Sequence, residues 1–165
     1  MTGHIRDLIR SSPISSAVFF LCFLVFVSGF FVSWRRTEGV SMYPALSPGS
    51  ILICSKSVDV SSLRYGSCVV ADVSYNDKDI VVVKRIVGCP GDKIQIIDGV
   101  LYCNEIKEDR GFPYMEEVGL IQDELILGDD EYFLLGDNRN VSLDSRDFGP
   151  VPAERITNVV LLHLF

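Results

Sequence analysis

A lone serine and a lysine inside an apolar run are the side chains of this sequence with the clearest chemical potential. Ser41 lies in GVSMYPAL (39–46), and Lys84 lies beside Arg85 in VVVKRIVG (81–88). Because side chains alternate faces along a strand, Lys84 and Arg85 must point opposite ways, and one of them faces apolar surroundings. A lysine desolvated in this way has a lowered pKa and can act as a neutral base.

Each segment also has a structural interpretation. Serines are common in loops, and a pair of cations can protect an edge strand from unwanted pairing. A serine hydroxyl becomes a good nucleophile only when an adjacent base takes its proton. The two histidines, His4 and His163, lie at opposite ends of the chain, so lysine is the base that the sequence offers. Serine–lysine pairs are a known variant of the catalytic triad.

A polar segment near the C-terminus, LLGDNRNVSLDSRDFGPVP (134–152), offers a third contributor. Ser142 is a candidate for orienting the lysine amine. Ion pairs that would fix the loop can come from Asp137, Arg139, Asp144 and Arg146. A solvated turn is the alternative, because Gly-Asp-Asn commonly forms turns.

In this order, and after an apolar segment, the three stretches resemble the type I signal peptidases. These are membrane-bound serine–lysine proteases that remove signal peptides from exported proteins. The resemblance is carried by EGVSMYPAL, by KRIVGCPGD (84–92) and by GDNRNVSLDSR (136–146). It implies that Ser41 is the nucleophile and Lys84 the general base, with Ser142 holding the lysine amine.

The same resemblance implies supporting roles. Met42 falls on the methionine that follows the nucleophile, and Arg85 is expected to pair with an aspartate of the 136–146 box. That box contributes Gly136, Asp137, Asn138, Arg139, Asp144 and Arg146. Some members carry a serine where this chain has Gly39, and its hydroxyl helps the oxyanion hole. Here the hole is expected to use the backbone N–H of Ser41, with the second donor unidentified.

The substrate is expected to bind as an extended strand. The residues expected beside it are Thr37, Glu38, Val40, Val81, Val82 and Val83. The resemblance also implies pockets for small residues at the first and third positions before the cut. The expected partners are secretory preproteins with signal peptides, the lipid bilayer and the protein export machinery.

The segment that precedes these motifs, ISSAVFFLCFLVFVSGFFVSW (14–34), has 21 residues and no charge. About 20 such residues span a bilayer as a helix, and Trp34 followed by two arginines fits an interfacial stop. A signal peptide is the alternative, but its apolar core is normally about 7–15 residues. Two arginines lie on each side, so orientation comes from the resemblance. Residues 1–13 are expected in the cytoplasm, and residues 35–165 on the outer face of the cell membrane.

Short apolar runs bounded by glycine and polar clusters predict strands throughout the rest of the chain. The predicted strands are 50–58, 67–73, 79–88, 131–138 and 155–165, with a hairpin at 93–104. Asp98-Gly99 supplies the two positive-φ positions of a type I′ turn. Residues 105–130 are predicted to be a loop. The predicted fold is therefore an all-β catalytic domain with one N-terminal transmembrane helix, matching the β fold that signal peptidases share with LexA-like proteins, and with a reduced second β region at about 93–132.

Charge and cysteine content exclude other classes. From Thr37 onward the chain carries 11 basic and 21 acidic residues, which argues against binding a nucleic acid backbone. The cysteines lack CxxC spacing, so no metal site is expected, and no cofactor is needed for this chemistry. They are Cys22, Cys54, Cys68, Cys89 and Cys103. Disulfides and small buried side chains both remain open for them.

Other functions make different predictions. A non-catalytic, membrane-tethered β module predicts loss of Ser41 or Lys84, and both are present. A Ser–Lys self-cleaving regulator predicts an N-terminal DNA-binding region, where this chain has the apolar segment. A specialised pilin, conjugation or mitochondrial inner-membrane peptidase would carry the same motifs. FGPVP (148–152) resembles the mitochondrial type, whereas the intact Pro-Gly-Asp and Gly-Asp-Asn-Arg sequences favour a bacterial enzyme.

Overall fold

The computed structural model describes residues 13–109, 111–113, 115–116, 119 and 124–164. The helices are α1 (Pro13–Phe31) and α2 (Ser145–Phe148). The first strands are β1 (Val32–Arg36), β2 (Ile51–Ser55), β3 (Cys68–Tyr75), β4 (Lys78–Gly88), β5 (Lys93–Ile97) and β6 (Val100–Cys103). They are followed by β7 (Ile106–Lys107), β8 (Glu124–Ile126), β9 (Glu131–Leu135), β10 (Val151–Pro152) and β11 (Ile156–Leu164). Single 3-10 turns lie at Val60–Ser62 and Ala153–Arg155.

The larger sheet has seven strands in the order β1-β2-β11-β3-β4-β9-β10, and its paired strands are antiparallel. Its longest hairpin joins β3 and β4, whose pairing runs from Cys68↔Arg85 to Tyr75↔Lys78. Asn76 and Asp77 at the tip have φ values of 51° and 58°. Positive φ at both central residues is the signature of a type I′ turn, whose twist matches that of the strands.

The smaller sheet has four strands in the order β7-β6-β5-β8. The β5–β6 hairpin turns at Asp98 and Gly99, with φ values of 49° and 74°, as the Asp-Gly pair predicted. β4 and β9 lie between two hydrophobic cores, because neighbouring residues of a strand face opposite sides. Ile86 belongs to one core and Val87 to the core under the smaller sheet.

The apolar segment forms α1, but the helix ends at Phe31, three residues before the predicted end at Trp34. Val32–Arg36 instead pair with β2, with Trp34 opposite Ile53, because an open strand edge is available there. Within the part of the chain that the structure describes, no helix meets the length and hydropathy needed to cross a bilayer. Residues 1–12, predicted to be cytoplasmic, lie outside the described residues.

Other differences concern short elements. The 105–130 stretch, predicted to be a loop, contains β7 and β8, and the sequence also gave no indication of β1, β10 or α2. Strands of two or three residues carry too little alternation to be recognised, and they form because a longer strand offers a partner. No disulfide joins the cysteines in the part of the chain that the structure describes, so the disulfides that the sequence left open are not formed.

Candidate active site

Ser41 begins a tight turn directly after the segment that continues β1. The turn closes through Tyr43 N–H to Val40 O at 3.1 Å and Leu46 N–H to Met42 O at 2.8 Å. Met42 is 3% exposed and packs into a third core cluster with Leu46, Leu52, Cys54 and Val70. The buried methionine therefore anchors the turn that carries the serine hydroxyl.

The 136–146 segment holds the same turn from the other side. Asn138 donates its backbone N–H to Ser41 O at 2.9 Å and its side-chain Nδ2 to Val40 O at 3.3 Å. No acceptor among the described residues takes the backbone N–H of Ser41, so that group is available to a bound oxygen. A Cβ atom at Gly39 would have the Ser41 backbone nitrogen as its nearest neighbour, at 4.0 Å, so this position has room for a side chain.

Lys84 lies on β4 and points toward the serine. Its Nζ donates a hydrogen bond of 2.7 Å to Ser41 Oγ, although the two residues are 43 positions apart. The lysine is 3% exposed. Burial lowers the pKa of Lys84 to about 8, against the opposing effect of the Asp144 and Asp147 charges. A substantial fraction of the amine is thus neutral near physiological pH, as a general base requires.

Gly136 packs between Ser142 and the turn that carries Ser41. A Cβ at Gly136 would stand 2.1 Å from Ser142 Oγ and 2.5 Å from Ser41 O, so only glycine fits. Ser142 Oγ is buried and makes no hydrogen bond to any described residue. The bond from Ser142 to the lysine amine that the resemblance implied is therefore not formed in this structure.

Three arginine–carboxylate pairs support the site. They are Arg85 with Asp137, Arg146 with Asp144, and Arg139 with Glu108. Arg85 binds Asp137 through two parallel bonds of 2.7 and 2.6 Å, and this hydrogen-bonded carboxylate raises the pKa of Arg85. Asp144 also caps α2, and it accepts the backbone N–H of Gly136 at 3.1 Å. The pairs hold the backbone around Gly136 in place.

An open groove with a volume of about 570 Å³ runs past Ser41 and Lys84. It is lined by Trp34, Arg35, Arg36, Thr37, Glu38, Gly39, Ser41, Met42, Val70, Val81, Val82, Val83 and Lys84. The list contains every predicted substrate-binding residue except Val40, which is half exposed beside the groove.

The two sides of the groove offer different backbone groups. β9 pairs with β4 only from Arg85 onward, so the edge of β4 beside Val81–Val83 is unpaired among the described residues. Thr37 is different, because its backbone N–H and C=O already bond Ser50 and Gly49. Thr37 therefore lines the groove without an unused backbone N–H.

Sequence reasoning missed several residues of this region. Glu108 and Phe112 contact Arg139, and Trp34 and Val70 line the groove. Glu108 lies in a stretch that was predicted to be a loop, and an acid in an acidic loop carries no pattern that would single it out. Val70 was visible only as part of an apolar strand.

Among known proteins, this sequence is similar to signal peptidases. The family model described as signal peptidase, peptidase S26, matches residues 10–165. Signal peptidase I of Bacillus licheniformis is 35% identical over 132 residues, covering 72% of this chain and 69% of that protein. Signal peptidase I of Bacillus caldolyticus is 33% identical over 154 residues, covering 85% and 83%. The crystal structure of a signal peptidase I from Enterococcus faecalis V583 aligns with a TM-score of 0.49 at 26% identity, covering 63% of this chain and 99% of that one.

Proposed function

The chain belongs to the signal peptidase family, peptidase S26, and is a peptidase; we propose that it cleaves N-terminal signal peptides from exported preproteins with a Ser41–Lys84 dyad. The observation that carries the proposal is the 2.7 Å contact between Lys84 Nζ and Ser41 Oγ at the edge of an open groove. A lysine that is 3% exposed and has no carboxylate bonded to its amine among the described residues is poorly explained as a structural cation.

Catalysis begins with the neutral form of Lys84. The hydroxyl of Ser41 then donates to the amine, which takes its proton while Oγ attacks the scissile carbonyl carbon. The carbonyl oxygen gains negative charge and accepts from the backbone N–H of Ser41. Lys84 next protonates the leaving amine, and water hydrolyses the ester on Ser41 with the lysine again as base.

Ser142 is proposed to steady the lysine amine during these proton transfers. Its buried Oγ lacks a partner among the described residues, and an unsatisfied buried hydroxyl costs about 1–3 kcal/mol. A hydrogen bond to the amine would satisfy it. Asp137, Asp144 and Arg146, with Arg85, hold the surrounding loop and do not touch the reacting atoms.

The substrate is proposed to lie extended in the groove and to add a strand to the free edge of β4 at Val81–Val83. Glu38 and Val40 flank it on the opposite side. Valine side chains and Met42 make the walls near Ser41 apolar, which suits small apolar residues before the scissile bond.

Membrane anchoring is part of the proposal. Helix α1, which covers most of the apolar segment 14–34, would hold the catalytic domain at the outer face of the cell membrane, with the N-terminus in the cytoplasm. Trp34 and Arg35 line the groove and follow the end of α1 within four residues. That position suits a substrate whose cleavage site emerges from the bilayer.

The test is cleavage of a preprotein with an Ala-x-Ala site by the purified full chain in detergent. We expect wild type to cut at that bond, and Ser41→Ala and Lys84→Ala to be inactive. Ser57→Ala and Lys93→Ala, which change the same residue types on the surface, should match wild type. Activity that survives in Ser41→Ala would eliminate the dyad. If the wild type fails on several secretory preproteins but cleaves a pilin precursor, the specialised peptidase is the better assignment.

A further inference from the structure

The third arginine pair of the catalytic region differs from the other two in the origin of its carboxylate. In the other two pairs, the carboxylates of Asp137 and Asp144 come from the 136–146 segment itself. Glu108 comes from the stretch after β7, next to the smaller sheet, where its backbone N–H bonds Leu101 O at 2.9 Å. A residue outside the recognised motifs therefore supplies the counter-ion of Arg139.

The pair is deeply buried. The side chains of Arg139 and Glu108 are 2% and 5% exposed, with Nη1–Oε2 and Nη2–Oε1 distances of 2.6 and 2.9 Å. The Phe112 ring covers the guanidinium at 4.3 Å, and Tyr65 OH donates to Glu108 Oε1 at 3.3 Å. Arginine cannot lose its proton in a protein, so a buried arginine depends on its carboxylate.

Arg139 reaches the reacting residues through one carbonyl. Its Nε donates to Gly136 O at 3.1 Å, while the N–H of Gly136 is held by Asp144 at 3.1 Å. Gly136 packs so closely against Ser142 and the Ser41 carbonyl that no Cβ fits between them. A shift of the Gly136 peptide would thus displace the Ser41 turn, which Asn138 N–H also holds.

We propose that Glu108 is a positioning residue for Ser41: it fixes the Arg139 guanidinium, which fixes the Gly136 peptide against which the nucleophile turn packs. The catalytic part of this inference rests on the proposed function. Through this pair, a residue next to the smaller sheet contributes to holding the loop against which Ser41 packs.

The first experiment needs no substrate. Amide hydrogen exchange is measured on the full chain in detergent, at the Asn138 N–H that bonds Ser41 O. Glu108→Gln keeps the size but removes the charge, and we expect exchange at Asn138 to be about 10-fold faster or more. Glu105→Gln is the matched control, because its side chain is 76% exposed and its partner among the described residues is Lys93, outside the catalytic region. Unchanged protection at Asn138 in a folded Glu108→Gln variant would overturn the proposal.

The second experiment measures kcat and KM on the preprotein. Glu108→Gln should lower kcat about 10- to 100-fold with KM little changed, since the nucleophile is displaced while the groove remains. Glu108→Asp keeps the charge and should recover part of the rate. If Glu108→Gln does not fold, Glu108→Asp takes its place in both measurements, with the same directions of change expected.

The route is tested in an Arg139→Gln background. There Glu108→Gln should cause no further loss of kcat, because its effect runs through the guanidinium. A full additional loss, or wild-type kcat in the single variant, would refute the positioning role. If the wild type cleaves no preprotein, the proposed function is wrong. The exchange rate of the Asn138 N–H then still tests the positioning role of Glu108.

Discussion

The activity of this chain is expected to follow the protonation of Lys84, because only the neutral amine can accept the proton of Ser41. Burial lowers the pKa of Lys84 from 10.5 to about 8, even though the charge of Asp144 favours the ammonium form. The neutral fraction is then about one half at pH 8, about one tenth at pH 7 and about one hundredth at pH 6. We therefore expect kcat/KM to rise about tenfold per pH unit and to level off above pH 8.

The same shift should appear in the stability of the protein. The lysine has its ordinary pKa in the unfolded chain, so between pH 8 and 10.5 the unfolded state binds more protons than the folded state. The free energy of unfolding then increases with pH across this window. The shift of the pKa from 10.5 to about 8 makes the free energy of unfolding about 3 kcal/mol higher above pH 10.5 than below pH 8. This difference is lost gradually as the pH falls from 10.5 to 8. Lys84→Met lacks this dependence.

Two assays follow. The first records kcat/KM from about pH 6 to about pH 10.5 on a peptide substrate without groups that titrate there. Lys93→Arg, which changes a partly exposed lysine outside the groove, should leave the profile unchanged. The second compares urea unfolding of wild type and Lys84→Met over the upper half of that range. An acid limb centred near pH 10.5, or a stability difference that does not vary with pH, would show that burial does not depress the lysine pKa.

Two glycines and one aspartate give further predictions. Gly136→Ala places a methyl group 2.1 Å from Ser142 Oγ, so we expect kcat to fall about 100-fold or more and the melting temperature to drop, whereas Gly39→Ala has open space and should keep kcat within about threefold. A large loss of kcat in Gly39→Ala, or wild-type kcat and melting temperature in Gly136→Ala, would contradict this steric argument. Asp137→Asn leaves the Arg85 guanidinium without its carboxylate and should cost about 3–5 kcal/mol in urea unfolding; a loss below about 1 kcal/mol would mean that water replaces the pair.

Several features followed from local pattern. The β-branched run around Lys84 predicted a strand, and it forms most of β4. The Asp98-Gly99 turn was predicted because few residue pairs tolerate two positive φ values. The end of the apolar helix was not predicted, because Val32–Arg36 could extend the helix or join a sheet. The open edge of β2 favours the strand.

In the candidate site too, some residues could be predicted from the sequence and others could not. The motifs identified Ser41, Lys84 and the arginines and aspartates of the 136–146 box before any fold was known. The partner of Arg139 was out of reach, because Glu108 lies 31 residues away in a stretch without periodicity. The free hydroxyl of Ser142 was also unforeseen, since hydrogen bonding depends on side-chain rotation within a packed site.

The sequence by itself indicated which side chains are candidates for catalysis, which long apolar runs become strands and where the Asp98-Gly99 hairpin turns, because alternation and backbone preferences act over a few residues. Tertiary structure decided that Lys84 meets Ser41 at 2.7 Å, that β4 keeps an open edge beside them, and that Glu108 neutralises Arg139. These contacts join residues far apart in the chain, so they depend on strand order and on the packing of two sheets around β4 and β9.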